Sequence, residues 1–157
     1  MRLRPLLFVL TGLLLSGLLL GPLPAAAQSE NVTTVDGPNS GETTTLTARP
    51  YAVAEGLSVR AFGISSPDST RWGLRFIGAG DQTPIQLLRA GEPLSITDID
   101  RPAEDEIGPT SVYIGQDAFL LMAETSTVTI QVGDVRAEVP DALRAEMQQI
   151  FETVTDG

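Results

Sequence analysis

The chain has 157 residues, a formal net charge of −10 and neither histidine nor cysteine, and its ten basic residues are all arginine. These absences exclude Ser-His-Asp and Cys-His nucleophile systems, thiolate chemistry, ordinary structural zinc sites, lysine Schiff bases and phosphate loops ending in Gly-Lys-Ser/Thr. Carboxylate, hydroxyl and arginine chemistry remain, or no chemistry at all.

Residues 1–27 read as a secretory signal peptide. Arg2 and Arg4 give a basic start, Leu6 to Leu20 an apolar run, and Ala25-Ala26-Ala27 a small-residue cutting site before Gln28. An uncleaved anchor is the competing reading, but Pro22 and Pro24 break a helix where a span would have to continue. No cysteine follows for lipid attachment, and Leu3 separates the two arginines, so a twin-arginine signal is missing. Cleavage would deepen the net charge from −10 to −12 by removing two arginines. So acidic a product is repelled by nucleic acid and by anionic membranes, and no stable span is expected after cleavage. Divalent cations and basic proteins are the partners its charge favours. Without cysteine, burial alone must stabilise the exported fold.

From Gln28 to about Thr43 the chain is rich in Gly, Ser, Asn, Thr and acid, and residues 28–43 are expected to form a flexible polar tail. A single folded domain is expected over 44–157. Leu57-Ser-Val59-Arg-Ala61 and Trp72-Gly-Leu74-Arg-Phe76 alternate apolar with polar, predicting two half-buried strands with Arg60 and Arg75 turned from the core. Trp72 shares the apolar side of its strand, which favours packing over exposed stacking on a ligand. Shorter strands are predicted over Pro84–Leu88, Leu94–Thr97 and Ser111–Ile114. Asp117 reads as the N-cap of a helix from Ala118 to Glu124, with a strand through Phe119-Leu-Leu-Met122 as the competing reading. Val128, Ile130 and Val132, then Val135, Ala137 and Val139, alternate around Gly133-Asp134 and predict a tight hairpin. Finally, Leu143, Met147, Ile150, Phe151 and Val154 form one stripe of a helix running from Pro140 to about Val154, with Arg144, Glu146, Gln148, Gln149 and Glu152 on its polar side. The fold class is therefore α+β and mostly β: an antiparallel sheet or small sandwich with a short helix and a C-terminal amphipathic helix packed on it.

One stretch carries candidate chemistry. Asp98, Asp100, Glu104, Asp105 and Glu106 place five carboxylates within nine residues, a set of hard oxygen ligands suited to calcium if they converge. Pro102 and Ala103 break the EF-hand pattern, and a solvated acidic loop is the competing reading. No other cofactor is expected. A carboxylate-dependent hydrolase would need two acids facing each other across a cleft. Aspartic-protease and Gly-x-Ser-x-Gly signatures are missing. The sequence thus favours a non-catalytic protein, periplasmic or secreted, that binds another envelope or extracellular protein. Calcium binding through 98–106 and carboxylate hydrolysis are the alternatives.

Overall fold

The computed structural model describes residues 31–104 and 106–156; the leader and its cutting site lie outside them. Eleven strands and two helices follow one another among the described residues. In chain order they are β1 (Val32–Asp36), β2 (Thr43–Thr47), β3 (Tyr51–Ala54), β4 (Leu57–Ser66), β5 (Ser69–Ile77), β6 (Ile85–Arg89), β7 (Glu92–Pro93), β8 (Ile96–Asp100), β9 (Thr110–Ile114), α1 (Gln116–Glu124), β10 (Val128–Val132), β11 (Val135–Glu138) and α2 (Asp141–Thr155). The mostly-β, α+β expectation holds, and the strands divide between two antiparallel sheets.

The large sheet runs β1-β2-β4-β5-β9-β8, with β3 also paired to β4. Strand β4 is long enough to hold two partners along one edge: Leu46 faces Phe62 on one half, and Tyr51 faces Val59 on the other. The β4–β5 hairpin closes over Pro67-Asp68, which puts Ser66 opposite Ser69 and Arg60 opposite Arg75. The small sheet runs β11-β10-β6-β7. Its hairpin turns at Gly133, whose φ of +58° is left-handed backbone that a side chain would disfavour.

Strand parity decides where the core lies. Val59, Ala61, Trp72, Leu74, Phe76, Val112 and Ile114 turn to one side of the large sheet. There they meet Leu87, Val128 and Ile130 of the small sheet, Phe119 and Met122 of α1, and Leu143, Met147 and Ile150 of α2. Trp72 is the hinge between layers, its ring 4.9 Å from Phe119 of α1 and 5.1 Å from Phe151 of α2. Burying a side chain of this size stabilises by about 1.5–3 kcal/mol, so this single inner layer accounts for the stability that cysteines do not supply.

Four expectations need correction. The presumed tail contributes β1, because Val32-Thr-Thr-Val35 is β-branched throughout and pairs its backbone with β2 while Thr34 and Thr45 share a hydroxyl hydrogen bond of 2.9 Å. Strand β8 begins later than Leu94 and takes in Asp98 and Asp100, so the acidic stretch starts inside a sheet. Helix α1 starts two residues early, at Gln116: Gly115 is its N-cap, and Asp117 lies in the first turn, where its charge meets the positive helix end without a capping bond. In α2, Pro140 is the N-cap rather than the first helical residue, and Glu146 is buried rather than solvated.

Candidate binding face

Both helices and the small sheet gather on the inner side of the large sheet. Its outer side carries no described helix or strand. Two rows of side chains cross it. The first is Leu46, Phe62, Gly73, Tyr113 and Asp98; the second is Arg60, Arg75, Ser111 and Asp100. Arg71, Ile64 and Thr44 continue the pattern on one side, and Ile77 on the other. Val35, on the adjoining part of β1, and Ile77 are among the most exposed large apolar residues, at 47% and 41%.

Aromatic rings form the floor of this face. Phe62 lies across Gly73, where any Cβ would fall 2.6 Å from its ring, and meets Tyr113 edge to face at 5.5 Å. The arginines lie over the rings. The Arg71 guanidinium is 3.8 Å from the centre of the Tyr113 ring, and that of Arg75 is 5.2 Å from the centre of Phe62. Arg71 also approaches Asp98 at 4.0 Å, a pair more than half exposed on each side and worth little by itself.

Arg60 has a structural task as well. It sits where β2 leaves the edge of β4 and β3 has yet to join, and it donates to the carbonyl of Ala48 at 3.1 Å and, through Nε, to that of Thr47 at 2.9 Å. Burial, and then the like charge of Arg75 directly opposite, lower its pKa from the usual arginine value. Arg75 donates through Nε to Ser111 at 3.3 Å. Among the described residues neither Arg60 nor Arg75 has a carboxylate within 4.0 Å.

The end of the face opens into a cavity of about 440 Å³ lined by Arg71, Asp98, Tyr113 and Gln116, among others. A second, of about 570 Å³, lies at the rim of the small sheet between Asp81, Gln86, Gln131 and Asp134. Each is broad and shallow and holds no His, Cys or Lys. A separate polar contact lies beneath α2, where the hydroxyl of half-buried Tyr51 donates to the carboxylate of buried Glu146. Burial first, then that hydrogen bond and the carboxylate's charge, push the Tyr51 pKa up to about 12.

Of the five carboxylates singled out for calcium, Asp98 and Asp100 stand on the outer face of β8, while Glu104 and Glu106 are exposed in the loop beyond it. Asp105 lies outside the described residues. Among the described residues no three His, Cys, Asp or Glu side chains gather as a metal site would require. Sequence reasoning placed Arg60 and Arg75 away from the core but missed that they face each other. Counting back from a two-residue turn at Pro67-Asp68 would have paired them. Comparison with known protein families, curated proteins and solved structures finds no match for this chain.

Proposed function

We propose that the mature chain is an exported, non-catalytic binding module, acting in the periplasm or outside the cell, which contacts another protein through the outer face of its large sheet. One observation carries this reading: a sheet covered on one side by both helices and the small sheet presents, on the other, apolar side chains and arginines above packed rings. Sheets buried on one face usually solvate the other with short polar residues, whereas here Val35, Leu46, Ile64 and Ile77 interrupt the polar surface. The leader supports export, and the residue types missing from the chain argue against the commoner catalytic centres.

A photo-activated cross-linker placed at Ile64 on the outer face, and separately at exposed Ala145 of α2, tests the reading in the producing cells. Adducts are expected from Ile64 and not from Ala145, on chains that begin at Gln28. Equal adducts from both positions, or an intact leader on a cytosolic product, would contradict it.

A further inference from the structure

The large sheet ends at β1, and the register there shows which backbone groups are left over. The Ala48 amide donates to the Asn31 carbonyl at 2.6 Å and the Gly37 amide to the Glu42 carbonyl at 2.7 Å, one bond beyond each end of β1. Between them the antiparallel alternation turns Thr33 and Val35 toward β2. It turns the N–H and C=O of Val32, Thr34 and Asp36 outward, where no described residue pairs with them. The strand itself is anchored, since its register with β2 is unbroken and Thr34 meets Thr45 through their hydroxyls. The other edges carry features that block further pairing. Strand β8 shifts register between Ile96 and Asp98, exposes Asp98 and Asp100, and already caps the Ile99 amide with the Asp98 carboxylate at 2.9 Å. Strand β7 is two residues long and contains Pro93, while β11 carries Arg136 and Glu138 and lies beside β3. Strand β1 has neither bulge nor proline, is β-branched from Val32 to Val35, and is charged only at its end. An edge of this kind is a template for an added strand.

The two flanks of this edge differ. Val32, Thr34 and Asp36 point to the side of α2, whose last turn reaches their row: Thr34 pairs with Thr45, Thr45 with Gly63, and a Cβ on Gly63 would fall 3.0 Å from Val154. Glu152 and Asp156 are exposed at that end of the helix, its last turn holds no basic residue, and its free carbonyls add partial negative charge. The arginines nearest the β1–β2 hairpin, Arg49 and Arg60, lie at the other end of β2, by Thr47 and Ala48. On the outer side Thr33 and exposed Val35 offer a β-branched surface. An added strand alternates in step with β1, so its residues on the α2 side approach carboxylates and those on the outer side approach Val35. From this we infer that the free edge of β1 takes up an extended segment of a partner protein in which basic residues alternate with apolar, β-branched ones. The net charge of −10 acts in the same direction, attracting a basic segment and repelling both an acidic segment and a second copy of the chain. The inference goes beyond the contact proposed for the outer face and does not depend on it.

The test follows amide hydrogen exchange by NMR in the chain purified from the producing cells, with three probes. These are a short peptide alternating arginine with valine, its counterpart with glutamate for arginine, and the arginine peptide N-methylated at its arginines, which keeps the charge but cannot donate to Thr34. In the chain alone the outward Thr34 amide should exchange freely while those of Thr33 and Val35, bonded to β2, are protected. The unmethylated arginine peptide alone should slow exchange at Thr34 and shift the amides of β1, and added salt should weaken it. Thr34→Pro removes the outward donor without touching a β1–β2 backbone bond and should lower affinity about tenfold or more. If the proline unseats β1, seen as lost protection at Thr33 and Val35, Glu152→Gln combined with Asp156→Asn should still weaken the peptide several-fold on an intact strand. Equal binding of the glutamate or the methylated peptide, shifts on β8 in place of β1, or no shifts at millimolar peptide would overturn the inference. So would Thr34 protection that rises with the chain's own concentration, because the occupant would then be a second copy. Ile64 adducts without Thr34 protection remove the edge and keep the outer face, whereas protection without adducts does the reverse.

Discussion

Glu146 is the residue whose environment departs furthest from its pattern in the sequence. Helical spacing puts it with the polar residues of α2, yet it is only 6% exposed, and its Oε2 has no hydrogen-bond partner among the described residues. Its other oxygen accepts from Tyr51 on β3, 95 positions away, a contact that no local periodicity encodes. Removing the donor leaves a buried carboxylate without its one bond, so Tyr51→Phe should destabilise the fold by about 1–3 kcal/mol in a denaturant titration. The same pair sets a pH response. Because the folded state holds the Tyr51 proton up to about 12, against 10 for the free phenol, the stability Tyr51 contributes is complete below pH 10 and lost as pH rises through about 12. Absorbance of phenolate during an alkaline titration checks this. One tyrosine should ionise late in the native chain and that component should vanish in Tyr51→Phe; ionisation of Tyr51 near 10 in the folded protein would contradict the contact.

Single elements were legible in proportion to how much of their pattern was local. The β4, β5, β10 and β11 strands follow a period of two, and the stripe of α2 follows helical spacing, so each could be read from a dozen residues. Strands β2, β3 and β7 carry four or five residues or fewer, and their pairing depends on β4 or β6 already being in place. The β1 strand was hidden by composition, since Gly, Ser and Asn around it dilute four β-branched residues that need only a free edge to pair. The role of α2 is the clearest case of local pattern fixing tertiary position. Leu143, Met147, Ile150 and Val154 are all buried. At about 1.5–3 kcal/mol each their burial matches the whole 5–15 kcal/mol by which a typical domain is stable. Deleting residues 140–157 should therefore abolish cooperative unfolding and the near-ultraviolet circular dichroism of Trp72, which stacks against Phe151. A truncated chain that keeps both would show that the inner layer closes without its last helix.

At the scale of the molecule, the large sheet has two unlike sides, and this asymmetry was only half visible beforehand. Alternation announced that one face of each strand is apolar, and it set Arg60 and Arg75 opposite that face. What it left out was the register that sets them on opposed positions of β4 and β5, the glycine that lets Phe62 lie across it and meet Tyr113 edge to face, and the gathering of both helices and the small sheet on one side. The acidic stretch shows the converse: of its described carboxylates, Asp98 and Asp100 are drawn into β8 while Glu104 and Glu106 lie in the loop beyond it, and no three described acidic side chains gather as a metal site would require. If the outer face awaits a partner, its side chains contribute little to folding, and the two sides can be weighed against each other. The most direct measurement is a denaturant series comparing Leu46→Ser and Ile64→Ser on the outer face with Leu143→Ala and Ile150→Ala on the inner one. The outer pair should each change stability by less than about 1 kcal/mol and the inner pair should each cost about 2–5 kcal/mol. Outer substitutions as costly as the inner ones would mean that the face is already covered, and would remove the basis for treating it as a binding surface.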